Sequence, residues 1–377
     1  MALPPMDSKG ERSKQRLLIV AGTRPNFVKV APLARALRSR SGLDLRFVNT
    51  GQHYDWEMAG AFLADLGLPP ADHDLNAGSG THVGQLSMIM SRLEPVLEQI
   101  EPSLILVVGD VNSTVAAALA GVKCGVPVGH VEAGLRSYDR SMPEEINRVI
   151  TDAISKFLFA PSGDAVDNLL REGADIGRIH LVGNVMIDSL DALLPRAIDA
   201  RSAERLDLAP GSYALATFHR PSNVDESLGL GRLVELLLMV RSHLPITFPC
   251  HPRTRSRLEE GGYLSRLERA GVTVLGPMGY IDFLSLLRTA AVVVTDSGGI
   301  QEESTVLGVP CITYRNTTER PITVTEGTNL LVSLDLGLIE KAVTHLAESE
   351  PVEPRRPHLW DGHAAERIAD IIEAALA

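Results

Sequence analysis

Short apolar runs alternate with amphipathic stretches along most of the chain. The apolar runs are rich in β-branched residues and end in glycine or a polar residue, a pattern typical of strands buried in a parallel sheet. In the first half they predict strands within residues 16–22, 44–51, 103–110, 126–134, 157–162 and 179–185. The amphipathic stretches between them predict helices within residues 27–40, 55–67, 82–100 and 112–124. This alternation predicts a doubly wound α/β domain.

A second series of the same kind begins after a break in composition at residues 186–210, which the pattern predicts to be helical and then loop-rich. It predicts strands within residues 213–220, 245–251, 272–278, 290–299 and 309–315. We therefore expect two Rossmann-like domains facing a central cleft, where the strand ends of such sheets bind ligands. The predicted organisation is a flexible leader, an N-terminal domain, a C-terminal domain that binds the ligand's nucleotide, and a terminal helix that packs back on the domains: residues 1–15, 16–190, 191–358 and 359–377.

Composition narrows the class of protein. The chain has 377 residues, which exceeds one ordinary core, and its 45% hydrophobic and 22% charged content is that of a folded globular protein. A net charge of −11 argues against a nucleic-acid partner. Apolar runs stay short of the roughly 20 residues that cross a bilayer, and the N-terminal stretch has no apolar signal core. Together with three scattered cysteines, these features predict a cytoplasmic protein with reduced thiols and no membrane partner.

The end of the first predicted strand carries the motif AGTRPNFVK, residues 21–29. Gly22 permits a tight turn, and Arg24 and Lys29 place cationic groups near the start of the next helix. Backbone N–H groups at a helix N-terminus favour an anion, and arginine can bind phosphate oxygens in a bidentate manner. The motif lacks the GxGxxG spacing of dinucleotide-binding turns. An ordinary capped helix with exposed basic residues would fit it equally well.

The motif TDSGGIQEE, residues 295–303, is a sharper signal. A hydrophobic strand ends at Asp296, and Ser297, Gly298 and Gly299 then open a helix, which predicts a phosphate-binding turn. Glu303, about one turn into the helix, could accept hydrogen bonds from a ribose diol. The competing interpretation is a flexible loop followed by routine acidic residues in a first helical turn.

Two histidines and an arginine follow later strands. His219 and His251 each come directly after a predicted strand and close to an arginine. Neither has a second histidine at metal-ligand spacing, so we predict no metal site. Arg320, in the loop of residues 316–323, is another candidate partner for phosphate or carboxylate.

Carboxylates cluster after the strands of the first domain. Asp110 and Glu132 stand at strand ends, and Glu144 or Glu145 begins a helix. Acidic groups that converge on one site can work as acid and base on a neutral sugar. Three arginines could instead pair with these acids in a purely structural network: Arg136, Arg140 and Arg148.

Taken in order, these motifs resemble the non-hydrolysing UDP-N-acetylglucosamine 2-epimerase family. The matching segments are GTRPNFVKVAPL, TGQHYD, GDVNST, HVEAGLRS, MPEEINR, HR, TDSGGIQEE and TTERP, which span roughly residues 16–330. The resemblance implies the two-domain architecture of the glycosyltransferase-B type. It also implies cofactor-free inversion at C2 of UDP-N-acetylglucosamine, with UDP elimination and a 2-acetamidoglucal intermediate. The product, UDP-N-acetylmannosamine, would supply surface polysaccharide synthesis, and the enzyme would be a homodimer.

The resemblance also implies roles for individual residues. The acid–base carboxylates would be Asp110, Glu132 and Glu144, with His219 on the leaving phosphate. The substrate contacts would be Arg24 and Lys29 near the diphosphate and sugar, Phe283 at the base, Ser297, Gly298, Gly299 and Glu303 around the nucleotide, and Arg320. Gln52 and His251 match parts of an allosteric site described for bacterial members, whereas Asp55 departs from it. Asn26-Phe27 also departs from the Glu-Ala pair of many relatives.

Several alternatives stay open from the sequence. The same chemistry could act on UDP-2,3-diacetamido-2,3-dideoxyglucuronate, a carboxylated sugar that should need an extra cationic partner. A hydrolysing relative would release N-acetylmannosamine and UDP after the same first step. A glycosyltransferase would use a UDP-sugar donor and an external acceptor. A nucleotide-sugar binding protein without activity would have no use for the three carboxylates.

Overall fold

The protein, seen as a computed structural model, forms two compact units. The structure describes residues 14–51, 63, 65–333, 335–348 and 353–377. Unit 1 takes in the described residues up to Ser189 together with His358–Ala377, and unit 2 takes in those of Leu190–Pro357. The predicted helix within residues 55–67 falls largely outside the described residues.

Within its described part, unit 1 is built on a seven-stranded parallel sheet with the strand order β3-β2-β1-β4-β5-β6-β7. The strands are β1 (Gln15–Ala21), β2 (Leu43–Asn49), β3 (His73–Asp74), β4 (Leu104–Val108), β5 (Val128–Val131), β6 (Phe157–Ala160) and β7 (Ile179–Leu181). The helices are α1 (Arg24–Arg38), α2 (His82–Ile100), α3 (Asn112–Lys123), α4 (Pro143–Ile154), α5 (Gly163–Arg171) and α6 (Val185–Ala200), which runs across the unit boundary. A short 3₁₀ turn covers Ile176–Arg178.

Unit 2 repeats the plan with a six-stranded parallel sheet in the order β10-β9-β8-β11-β12-β13, again counted over the described residues. Its strands are β8 (Ala214–Thr217), β9 (Ile246–Pro249), β10 (Val272–Leu275), β11 (Val292–Thr295), β12 (Cys311–Tyr314) and β13 (Asn329–Val332). Its helices are α7 (Ser202–Arg205), α8 (Pro221–Val224), α9 (Ser227–His243), α10 (Pro252–Glu260), α11 (Leu264–Arg269), α12 (Tyr280–Leu287), α13 (Gly298–Leu307), α14 (Ile322–Thr325) and α15 (Leu336–Glu348). The last helix of the chain, α16 (Ala364–Leu376), belongs to unit 1.

The central strands are buried on both faces, as their continuous apolar runs predict. Every residue of β4 is buried, and the register pairs Leu18 of β1 with Ile105 of β4. Helices covering both faces of a parallel sheet leave no polar side for these strands, which explains the absence of alternation in their sequences. The predicted α/β class is therefore confirmed. The two-residue β3 and the edge strand β13 were not predicted.

Helix α16 packs on α1 through an apolar stripe. Ala365, Ile368 and Ile372 recur at helical spacing and are buried. The carboxylate of Asp188 accepts hydrogen bonds from the N–H groups of Ala364 and Ala365, at 3.2 and 2.7 Å. These bonds satisfy N–H groups that the first turn of a helix cannot pair internally.

Each sheet reverses its strand order once. In unit 1 the reversal lies between the neighbouring strands β1 and β4, and in unit 2 it lies between the neighbouring strands β8 and β11. Loops that leave the carboxyl ends of the strands diverge at such a point, which creates a crevice. Within the described part of the chain, no helix is both long and apolar enough to cross a membrane.

Candidate active site

At the reversal of strand order in unit 1, side chains from the start of α1 contact the ends of β4 and β5. Helix α1 starts at Arg24, and the side-chain amide of Asn26 in its first turn donates to the Val108 carbonyl at the end of β4, at 2.8 Å. Lys29, one turn further, places its Nζ 2.5 Å from Oε2 of Glu132, which directly follows β5. Both side chains of this ion pair are buried. Two residues that the sequence predicted separately for the site, Lys29 and Glu132, are thus in contact.

Glu132 has an unusual backbone and an incompletely bonded side chain. Its φ is +69°, a left-handed conformation that costs free energy for a residue with a Cβ. Oε1 of Glu132 is buried and has no hydrogen-bond partner among the described residues. Gly109, with φ +70°, is so close that an added Cβ would lie 3.5 Å from both Glu132 Oε2 and Lys29 Nζ. A strained backbone together with one unpaired buried carboxylate oxygen is typical of a reactive position.

Asp110 is held by a buried arginine. Arg148 of α4 forms ion pairs with Asp110 and with Glu145, the latter at 2.8 Å. Glu145 also accepts hydrogen bonds from the N–H groups of Ser137 and Tyr138, at 2.9 and 3.0 Å. Burial raises the pKa of Glu145, but the Ser137 and Arg148 hydrogen bonds outweigh it and hold the pKa below its ordinary value. Arg148 therefore forms the structural network that the sequence left open, with one arm on a candidate catalytic acid.

Glu144 and Glu145 are neighbours in sequence but lie in different surroundings. Successive helical residues are about 100° apart around the axis, so they cannot share one face. Glu144 is half-buried and lines a cavity of about 250 Å³. The other lining residues are Thr23, Ser79, His82, Gln85, Val111, Asn112 and Asn147. Asn147 connects this cavity to the Asp110 loop, since its side-chain amide donates to the Asp110 carbonyl at 2.8 Å.

A second cavity in unit 1 has a volume of about 570 Å³. Its lining includes Arg136, Tyr138, Glu145 and Glu172. None of the residues to which the family resemblance gives a role lines it. Its acids and bases neutralise one another, because Arg136 pairs with Asp152 and Glu172 at 2.7 and 2.6 Å. The smaller cavity beside Glu144 is the better candidate for substrate chemistry.

In unit 2, Asp296 organises the reversal. It follows β11, is fully buried, and accepts hydrogen bonds from the backbone N–H groups of His219 and Arg220, at 3.1 and 3.0 Å. Asn223 adds a side-chain amide bond at 2.8 Å. The imidazole Nδ1 of His219 lies 3.2 Å from Asp296 Oδ1, while the ring itself is largely exposed. Asp296 therefore fixes the backbone that presents His219 to solvent.

The glycine turn meets a buried cluster of charges. Helix α13 begins at Gly298, with Ser297 as its N-cap residue and Gly299 in its first turn. A Cβ at position 298 would collide with the guanidinium of Arg320 and would lie 2.7 Å from Glu319 Oε1. Arg320 in turn forms ion pairs with Glu302 and Glu319, each at 2.7 Å. Only glycine permits this approach, so the guanidinium of Arg320, held by two glutamates, lies directly beside the N-terminus of α13.

Glu303, on the same helix, pairs with a neutral hydroxyl. The phenol of Tyr280 donates to Glu303 Oε1 at 2.6 Å. Burial raises the pKa of Glu303 to about 7, against the lowering effect of that hydrogen bond. Phe283, one turn beyond Tyr280 on α12, is half-buried and packs against an apolar cluster that includes Leu286 and Leu287.

The remaining predicted site residues are His251, Gln52 and Arg24. His251 caps α10, where its Nδ1 accepts from the Arg253 N–H at 3.2 Å. Gln52 lies outside the described residues, as does the side chain of Arg24.

Several residues that organise the site were missed in the sequence. Arg148 and Glu145 appeared there only as alternatives, and no sequence pattern assigned a role to Glu319, Tyr280 or the side chain of Asp296. A polar residue closing a buried strand was a usable signal for Asp296. Pairings such as Tyr280 with Glu303, 23 positions apart, had no local signal.

Comparison with known proteins gives a consistent result. A family model described as UDP-N-acetylglucosamine 2-epimerase matches residues 35–373. The UDP-N-acetylglucosamine 2-epimerase of Methanocaldococcus jannaschii is 40% identical over 363 residues, covering 95% of this chain and 98% of the relative. The UDP-2,3-diacetamido-2,3-dideoxy-D-glucuronate 2-epimerase of Pseudomonas aeruginosa is 38% identical over 361 residues, covering 95% and 99%.

A solved structure agrees with these relatives. The crystal structure of the M. jannaschii UDP-GlcNAc 2-epimerase in complex with UDP-GlcNAc and UDP matches with a TM-score of 0.89 at 39% identity. The match covers 96% of this chain and 100% of that one.

Proposed function

The chain belongs to the UDP-N-acetylglucosamine 2-epimerase family, and we propose that it inverts C2 of UDP-N-acetylglucosamine to give UDP-N-acetylmannosamine without a cofactor. The observation that carries the proposal is Glu132. It is buried, held in a left-handed conformation, bonded to Lys29 through one oxygen, and has no partner for the other among the described residues. Such a group can exchange a proton with a bound sugar.

The reaction must couple two bond changes. The C2 proton has no adjacent carbonyl and is very weakly acidic, so its removal accompanies departure of UDP from C1. The resulting 2-acetamidoglucal is protonated on the opposite face of C2, and UDP adds back to C1. Proton and leaving group are both recovered, so no oxidant or reductant is needed.

In unit 1 we assign the proton chemistry to Asp110, Glu132 and Glu144. Asp110 forms an ion pair with Arg148, and Glu132 forms one with Lys29. The Lys29 ammonium is within hydrogen-bond distance of Glu132 and can return a proton to it. Lys29 would thereby let Glu132 serve in both directions of a reversible reaction.

In unit 2 we assign the nucleotide to the glycine turn and its surroundings. The N–H groups of Gly298 and Gly299 and the hydroxyl of Ser297 at the start of α13, with Arg320 and His219, would stabilise negative charge developing on the leaving UDP. Glu303 would accept hydrogen bonds from the ribose hydroxyls, and Phe283 would pack on the base. The side chain of Arg24 is proposed to join the diphosphate contacts.

The identity of the substrate sugar needs a direct comparison, because a relative with 38% identity is named as a 2-epimerase of UDP-2,3-diacetamido-2,3-dideoxy-D-glucuronate. The purified chain should be incubated separately with UDP-GlcNAc and with UDP-2,3-diacetamido-2,3-dideoxyglucuronate, and the epimers separated by anion-exchange chromatography. A higher kcat/KM for UDP-GlcNAc supports the proposal. Turnover of the uronate alone would replace the substrate while keeping the chemistry.

The remaining expectations stay predictions. We propose a cytoplasmic homodimer that supplies surface polysaccharide synthesis, as the family resemblance implies. Light scattering on the purified protein would test the dimer. His251 and Gln52 stay candidates for regulation by UDP-GlcNAc, which a sigmoidal rate curve would reveal.

A further inference from the structure

Resting on the proposed function, we propose that the buried pair His130–Asp152 is a positioning element that fixes Asp110 and Glu132 relative to each other. Neither residue reaches the unpaired oxygen of Glu132. They act on the two loops that carry the catalytic carboxylates.

The pair first controls the loop that follows β4. The imidazole Nε2 of His130 donates to the Gly109 carbonyl at 2.8 Å, and the Gly109 N–H donates to the Val131 carbonyl at 3.1 Å. Gly109, which precedes Asp110, is therefore hydrogen-bonded to β5 through both its N–H group and its carbonyl. Because Gly109 has φ +70° and no side chain, these two bonds supply the restraint that a Cβ would otherwise give.

The pair also controls the loop that follows Glu132. Asp152 Oδ1 lies 2.6 Å from His130 Nδ1. Its other oxygen accepts from the Gly134 N–H at 3.1 Å and pairs with Arg136 at 2.7 Å. The Asp152 carboxylate of α4 therefore connects His130, in the strand before Glu132, with Gly134 and Arg136, which follow Glu132.

The protonation of the pair follows from its partners. The Gly109 carbonyl can only accept, so Nε2 of His130 carries a proton. Burial raises the pKa of Asp152, but its contacts with His130 and Arg136 outweigh that effect and hold the pKa below its ordinary value, so the group beside Nδ1 is a carboxylate. His130 is fully buried and Asp152 nearly so, and a buried carboxylate is strongly sensitive to the loss of a partner.

The test uses Asp152→Asn, His130→Gln and the double variant in the full chain. In Asp152→Asn one amide oxygen replaces two carboxylate oxygens, so it can accept from His130 or from Gly134 and Arg136 but not from both sides, and the loops should shift. A shift of about 1 Å is expected to lower kcat about 100-fold. KM and UDP affinity should be unchanged, because neither of the two loops carries a residue that we assign to the nucleotide. The double variant restores a donor–acceptor match and should regain about tenfold in kcat over His130→Gln.

The matched control is Asp188→Asn. Asp188 is also a buried carboxylate of unit 1 that accepts two backbone N–H groups, but those belong to Ala364 and Ala365. This variant should lower the Tm while leaving kcat unchanged. Equal kcat losses in Asp188→Asn and Asp152→Asn, or losses that follow the Tm alone, would overturn the proposal.

Wild-type activity separates this inference from the proposed function. If the wild type epimerises UDP-GlcNAc and the pair variants keep full kcat, the positioning role is wrong and the function stands. If the wild type is inactive on that sugar, crystal structures of wild type and Asp152→Asn decide instead. A displacement of the Gly109–Asp110 peptide and the Glu132 carboxylate of about 0.5 Å or more supports the role, and superimposable positions reject it.

Discussion

In unit 1 the strand ends at the reversal of strand order carry carboxylates with paired cations, whereas in unit 2 they carry a histidine, a glycine turn and arginines. The two sheets share a parallel plan and place their polar loops at the same topological point. Their chemistry differs because the residues in those loops differ. Topology thus gives the location of a site, and side chains give its function. The comparison predicts that unit 1 variants lose turnover and that unit 2 variants lose nucleotide affinity.

The sharpest test of the division is Glu132→Gln. Removing the acid–base group should lower kcat about 1,000-fold, within the range for general acid–base catalysis, while the Kd for UDP measured by calorimetry is unchanged. The control is Glu101→Gln, because Glu101 is an exposed glutamate of unit 1 that also has a positive φ, of +49°. It should behave as wild type. A Glu132→Gln variant with normal kcat would remove the residue from the mechanism.

Arg320→Ala tests the other half of the comparison. Loss of a charge-assisted contact to UDP should weaken binding by about 10- to 100-fold, again by calorimetry. The Tm should fall as well, because Glu302 and Glu319 lose a buried partner. Arg266→Ala is the control, since Arg266 pairs with Glu235 at 2.7 Å on the surface of the same unit. Unaltered UDP affinity in a folded Arg320→Ala protein would contradict the role.

Glu303 gives a smaller, pH-dependent effect. Its pKa of about 7 in the folded protein exceeds the ordinary 4.5, so the folded state holds the proton longer than the unfolded state does. The free energy of unfolding should therefore fall as pH rises from about 4.5 to about 7, by up to about 3 kcal/mol. Glu303→Gln should match wild type in urea unfolding at pH 4 and exceed it at pH 8.

Tyr280→Phe sharpens that result. The Tyr280 hydroxyl lowers the pKa of Glu303, so removing it should move the midpoint of the pH dependence upward. If the stability difference between wild type and Glu303→Gln stayed constant with pH, Glu303 would not be titrating in this range.

Much of the fold was readable from the sequence. The predicted strands within 103–110 and 126–134 contain β4 and β5, and the predicted helix within 82–100 coincides with α2. Buried parallel strands give continuous apolar runs, which can be recognised in the sequence without knowing which strands pair. The strand β13 was missed because it lies at an edge, where Leu330 is exposed and the run is short.

The site was readable in its residue types but not in its pairings. Asp110 and Glu132 stand out because they end buried strands. Glu144 and Glu145 could not be separated, since only the direction of the first turn of α4 decides which one meets Arg148 and which one lines a cavity. The partner of Glu132 is Lys29, 103 positions away, and no local pattern records such a contact.

Proton NMR of the purified protein with UDP-GlcNAc in D2O tests the central claim most directly. The account predicts UDP-ManNAc, with deuterium at C2 of both epimers, because the proton removed from one face is exchanged before C2 is protonated on the other. Formation of UDP-ManNAc with the original C2 proton retained would contradict the proton-exchange mechanism. Accumulation of free ManNAc and UDP would contradict the non-hydrolysing reaction.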